Sequence, residues 1–143
     1  MIKTNKFSYQ GTGHIFEGVI AHDASLEGKR PVVMVAHTWM GQSQFETDKA
    51  IELAKLGYLA FAVDVYGKGK RAKNAEQAEE FMNEMLENRQ ALLDRLLLAF
   101  QEIKKHELAD TDKTAIIGFC FGGKCALDLA RSGVDIKGAV CFH

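Results

Sequence analysis

The sequence predicts an α/β domain: a mostly parallel sheet with an antiparallel hairpin at its N-terminal end and helices on both faces. Three observations lead there. The runs "PVVMVAH", "YLAFAVD", "KTAIIGF" and "IKGAVCFH" are short and apolar on both faces, the pattern of strands buried in a parallel sheet. Between them lie stretches with apolar residues at helical spacing. The resulting order, β-β-β-α-β-α-α-β-α-β, alternates strand and helix after its opening hairpin, as a sheet with crossover helices requires.

Each element has its own signal. "FSYQGTGHIFEGVIAH" divides into two extended pieces around "GTG", a hairpin whose turn takes its positive φ from glycine. The polar loop "DASLEGKR" leads into the buried strand "PVVMVAH". "SQFETDKAIELAKLG" predicts a helix with Ser43 as N-cap, Glu46 three residues on as in a capping box, and Gly57 as its stop. "YLAFAVD" is the next buried strand, ending at Asp64, and "VYGKGKRAKN" is a polar loop. From Ala75 to about His106 the pattern predicts one or two helices. The second piece, "RQALLDRLLLAFQEIKKH", has a wide apolar face and ends on Lys104, Lys105 and His106, where positive charge suits the helix dipole. "KTAIIGF", the helix "GGKCALDLARSG" and the strand "IKGAVCFH" follow.

With no repeat, linker or low-complexity segment, residues 1–143 are read as one domain. The last strand has no covering helix after it, so the domain is expected to be partial. Its C-terminal part would be missing, or supplied through the open sheet edge by a second copy or a complementing C-terminal segment.

Composition narrows the function classes. At 143 residues the chain is long enough to bury about 68–70% of its unfolded surface. A net charge of −1 with 26% charged residues gives no basic footprint, so a small molecule is the expected partner and nucleic acid is not. No apolar run approaches the ~18 residues of a membrane span, and "MIKTNKFSYQ" lacks the apolar centre of a signal peptide. No membrane association and a cytoplasmic location are therefore expected. Cys120, Cys125 and Cys141 form an odd set without C-x-x-C spacing, which predicts reduced thiols, no zinc site and no cofactor.

The chemistry concentrates in "GFCFGGKC", Gly118 to Cys125, where two patterns overlap. One is G-x-x-x-x-G-K-x, a near P-loop over Gly118–Lys124 that would cradle phosphates. It has Cys125 where a hydroxyl should hold magnesium, and a soft thiol is a poor ligand for that hard cation. The other is G-x-C-x-G, a nucleophile elbow with Cys in place of Ser. A sharp strand-to-helix turn needs small residues on either side of the nucleophile, which Gly118 and Gly122 provide, with Gly123 permitting close helix packing. Cys120 would then stand at a helix N-terminus, where the dipole favours a thiolate. Cys125 and Cys141 are read as buried small hydrophobes.

These segments resemble the dienelactone hydrolase family of α/β-hydrolases. The resemblance rests on "IIGFCFGG", "VVMVAHTWMG", "LGYLAFAVDVYG" and "KGAVCFH", in order and spacing from about Phe16 to His143. It implies an α/β-hydrolase-like fold and hydrolysis of a small-molecule ester or lactone through an acyl-cysteine on Cys120. The oxyanion would be held by the backbone N–H groups of Phe121 and Trp39. The family commonly has Glu just before the second of these donors; this chain has Thr38. In the family the acid and the His follow the nucleophile. After Cys120 the chain has Asp128, Asp135 and His143, none of which matches the family's positions. His37, Thr38 and His143, at strand ends or in the oxyanion loop, are expected to line the substrate pocket. Arg71 with Lys68, Lys70 and Lys73 forms a positive run that is either a solvated loop or an attractor for a substrate carboxylate.

Overall fold

The computed structural model describes residues 1–142; His143 lies outside the described residues. Strands β1 (Ile2–Gly11) and β2 (His14–Asp23) pair antiparallel from Ile2 opposite Asp23 to Gly11 opposite His14. The hairpin thus begins five residues before the "FSYQ" segment that signals it. Its two-residue turn has positive φ at both Thr12 (54°) and Gly13 (81°), the geometry that matches the strands' right-handed twist.

Strand β3 (Arg30–Ala36) leads to helix α1 (Gln44–Lys55), and β4 (Leu59–Ala62) follows. The Ser43 capping box forms as the sequence predicts: Ser43 N–H donates to Glu46 Oε1 at 2.9 Å, and Ser43 Oγ accepts from Phe45 N–H at 3.3 Å. Beyond α1, Gly57 takes a φ of 102°. The stretch after Asp64 gives two helices, α2 (Ala75–Leu86) and α3 (Arg89–Ile103), with Asn88 capping the second. Strand β5 (Ala109–Phe119) starts four residues before "KTAIIGF", because Ala109 already pairs with Arg30 of β3. Helix α4 (Phe121–Arg131) and β6 (Gly138–Phe142) complete the order that the sequence predicts.

The six strands form one sheet in the order β1-β2-β4-β3-β5-β6. β2 meets β4 antiparallel, while β4, β3, β5 and β6 run parallel. The alternation of side chains assigns the two faces. Ala60 and Ala62 of β4 turn to one side, where Ala50 and Ala54 of α1 and Ala21 of β2 allow the helix to lie close. Leu59 and Phe61 turn to the other, beneath Leu92, Leu96 and Phe100 of α3 and Cys125 and Leu129 of α4. β6 is an edge strand, with Val140 and Phe142 nearly half exposed. Among the described residues no helix is long and apolar enough to cross a membrane.

Candidate active site

β5 ends at Phe119 and α4 begins at Phe121, so Cys120 alone makes the turn, at φ 60° and ψ −118°. A non-glycine residue held at positive φ stores strain, and such residues concentrate where structure serves function. The glycines explain how the turn is tolerated. A Cβ on Gly118 would overlap the Gly122 carbonyl, and one on Gly122 would overlap the Ala36 carbonyl and lie 2.6 Å from that of His37. A Cβ on Gly123 would come within 3.1 Å of the Cys141 Cβ. The elbow is thereby pressed between the ends of β3 and β6. Cys120 N–H donates to the Phe142 carbonyl at 2.8 Å, and the Cys120 carbonyl accepts from Gly123 N–H at 2.9 Å. With its backbone held on both sides, Cys120 keeps an exposed side chain.

The other two cysteines separate. Cys125 is buried, and its burial, reinforced by the Asp128 carboxylate, pushes the thiol far above its ordinary range. A side chain so placed cannot hold a cation over a phosphate, so the P-loop pattern has no structural counterpart. Cys141, expected to be buried, is exposed, with its Sγ 3.1 Å from the Gly123 carbonyl. A cavity of about 390 Å³ opens beside the elbow, lined by Cys120, Lys124, Leu127, Cys141 and Phe142 among others.

The segment after β3 lies against the elbow. His37 is 1% exposed, and both ring nitrogens are engaged: Nδ1 lies 2.7 Å from the Thr38 carbonyl oxygen and Nε2 lies 3.2 Å from Val65 N. A carbonyl only accepts and a backbone N–H only donates, so the proton sits on Nδ1. Burial, partly offset by the Thr38 hydrogen bond and Asp64, lowers the pKa of His37 to about 4. Both nitrogens being taken, the ring faces the core as a tie between two loops and offers no free nitrogen to a ligand. Thr38 organises its own turn: its Oγ1 accepts from Met40 N–H at 3.2 Å and its carbonyl from Gly41 N–H at 3.1 Å. Trp39, half-buried, packs on the larger core, and its carbonyl accepts from Tyr66 Oη–H at 2.8 Å.

Tyr66 carries no signal of a site role in the sequence. Its ring stacks on Phe121 (5.8 Å, 27°) and meets His37 edge-on (4.8 Å), so one side chain touches both segments expected to carry oxyanion donors. Its position is set by Asp64, fully buried just beyond β4, whose carboxylate accepts from the N–H groups of Glu17, Tyr66 and Gly67, each at 3.0 Å. Arg71 joins this centre at 3.4 Å from Asp64 and also donates to the carbonyls of Gly67, Lys70 and Glu17. The positive run is thus largely neutralised in place, with Lys68 at 3.8 Å from Glu17 and Lys70 at 2.9 Å from Glu84.

The acids after the elbow are engaged as well. Asp128 is held by Arg89, at 2.7 Å and 3.2 Å, and by Arg131, while Asp135 pairs with Lys137 at 2.9 Å. Among the described residues no group of three or more His, Cys, Asp or Glu is arranged to hold a metal ion.

Known proteins bear on this geometry. The family model described as "Dienelactone hydrolase family" matches residues 16–143. A protein of Aquifex aeolicus (strain VF5), whose name proposes a carboxymethylenebutenolidase, is 39% identical over 104 residues, covering 70% of this chain and 45% of that protein. A Bradyrhizobium protein, whose name proposes a 2-oxo-3-(5-oxofuran-2-ylidene)propanoate lactonase, is 33% identical over 120 residues, covering 82% and 47%. The chain therefore spans about half the length of the curated relatives it matches. Among solved structures, m3DLH superposes with a TM-score of 0.95 at 34% identity, covering 99% of this chain and 59% of its own. A dienelactone hydrolase-like promiscuous phosphotriesterase from metagenomic libraries also gives 0.95, at 29% identity and the same coverage. Matched over its β2-to-β6 length and with its elbow geometry intact, the chain belongs to the dienelactone hydrolase family.

Proposed function

We propose that this chain carries the nucleophile and oxyanion hole of a cysteine-dependent hydrolase of carboxylic esters or lactones. The supporting observation is Cys120, exposed at φ 60° on a one-residue elbow framed by glycines and placed at the N-terminus of α4. In acylation the Cys120 thiolate attacks the carbonyl carbon, an S–C bond forms and the carbonyl π pair moves onto oxygen. The N–H of Phe121, the first residue of α4 and without an intrahelical acceptor, and the N–H of Trp39 receive that charge. Collapse breaks the C–O bond and the alkoxide leaves as the alcohol after taking a proton from water. Attack of a second water on the thioester carbon then breaks the S–C bond, releasing the carboxylic acid and returning the Cys120 thiol. Thr38 stands beside Trp39 as the organiser of its loop. Asp128 and Asp135 are salt-bridged to neighbours, so we assign the chain no triad acid or base among its described residues.

The outer edge of β6 supports a second element of the reading. Exposed Phe142 lines a groove with Leu53, Leu56, Ile117 and Phe119, and Val140 is exposed on the same strand, a surface suited to a second copy or a complementing segment that brings a base.

Product release from an activated aryl ester, with Cys120→Ala as control, tests both elements. The expected result is a burst stoichiometric with chain and absent in the control. Turnover per chain that rises with protein concentration marks a base supplied by association. A chain whose Cys120 takes no acyl group overturns the assignment.

A further inference from the structure

A peptide unit is rigid and planar, with its C=O and N–H pointing in opposite directions. The carbonyl of Thr38 and the N–H of Trp39 belong to one such unit. Whatever grips the Thr38 oxygen therefore sets where the Trp39 N–H points. Two donors grip it: Gly41 N–H at 3.1 Å, from within the turn, and His37 Nδ1–H at 2.7 Å.

The second grip is itself fixed from another loop. Val65 N–H reaches His37 Nε2 at 3.2 Å, which leaves the ring proton on Nδ1 and aims it at Thr38. Val65 cannot drift, since Val63 N–H is bonded to the Val35 carbonyl at 3.0 Å and the Asp64 carboxylate holds the turn that follows. The ring packs edge-to-face with Tyr66, centroids 4.8 Å apart, and lies tilted 6.0 Å from the ring of Phe121, the other donor residue.

We infer that His37 is a positioning residue of the oxyanion hole: through the Thr38 carbonyl it holds the Trp39 N–H in the orientation that receives the oxyanion. The inference rests on Trp39 being an oxyanion donor. Its physical content is preorganisation. A donor aimed before charge develops needs no reorganisation during the reaction, whereas a peptide free to rotate would present its carbonyl to the oxyanion instead. Burial keeps the ring neutral down to about pH 4, with Asp64 and Arg71 as the charged groups facing it, so the grip persists through the neutral range.

Two substitutions separate positioning from packing. His37→Asn keeps an amide donor near Nδ1, within reach of the Thr38 oxygen. His37→Gln places its amide near Nε2 and leaves that oxygen without its side-chain donor. On the full chain, three quantities are read: the limiting rate of Cys120 acylation by p-nitrophenyl acetate, its half-saturation concentration, and alkylation of Cys120 by iodoacetamide, which builds no oxyanion. The expected result for His37→Gln is a limiting rate lower by about 10²-fold, the usual consequence of losing one oxyanion donor, with half-saturation and alkylation unchanged. His37→Asn should restore most of the rate. Equal acylation by His37→Gln and the parent chain, or a fall in alkylation parallel to acylation, overturns the inference. Should His37→Gln fail to fold, His37→Asn decides: loss of acylation in that variant overturns it. A parent chain that alkylates at Cys120 but accepts no acyl group removes the underlying function instead, and the inference with it.

Discussion

The two sides of the candidate site are built differently. On the His37–Asp64 side, backbone and side-chain groups are tied across three loops. His37 bridges Thr38 and Val65, Tyr66 bonds Trp39, and Asp64 gathers three N–H groups and Arg71. On the Cys120–Phe142 side, one backbone bond joins the elbow to β6, and Cys120, Cys141 and Phe142 are exposed beside an open cavity. The closed side is suited to holding donors still. The difference also explains why a histidine at a strand end became structural: on the closed side each of its nitrogens found a backbone partner.

Breaking the elbow should have the largest effect on the fold. In Gly122→Ala the new methyl would overlap the Ala36 carbonyl and crowd that of His37, forcing the two sides apart. A loss on the order of 3 kcal/mol is expected from such overpacking, read by urea unfolding; a variant as stable as the parent would mean that the contact between α4 and the end of β3 yields easily.

Acid should loosen the closed side by a comparable amount. The pKa of His37 is about 4 in the fold against an ordinary 6.5, so between those values the unfolded chain binds more protons. Stability therefore rises with pH across that window and is lost as pH falls from 6.5 through 4, by a total on the order of 3 kcal/mol. Glu46, whose carboxyl is raised by burial, titrates in the opposite sense. The His37 share is accordingly the difference in pH slope between the parent and His37→Asn, and equal slopes would show that the ring accepts a proton in place.

The smallest effect sharpens the comparison without disturbing the fold. With iodoacetamide near neutral pH, Cys120 should react first, Cys141 more slowly, and Cys125 only as the chain opens, since it is buried and its thiol is pushed up. Mass spectrometry of the labelled peptides gives the order. Equal rates for Cys120 and Cys141 in the folded chain would count against an activated thiol at the elbow.

Much of this architecture was legible in the sequence because its causes are local. Strand runs, helical periodicity, the Ser43 capping box and the glycine frame around Cys120 each express a constraint acting within a few residues. Those signals determined the order of elements, the elbow, and Cys120 as its apex. Tertiary structure decided which polar groups meet. Val65 and His37 are 28 residues apart, Tyr9 and Asp64 are 55 apart, and Arg71 reaches a carbonyl 54 residues away. A lone His, Tyr or Arg carries no periodic signal of its partner, so the sequence reads His37 as a pocket residue, Arg71 as part of a solvated or carboxylate-attracting run, and Cys141 as buried. Their roles follow from which donors and acceptors the assembled sheet brings within about 3 Å, because a buried polar group must find such a partner wherever in the chain it lies.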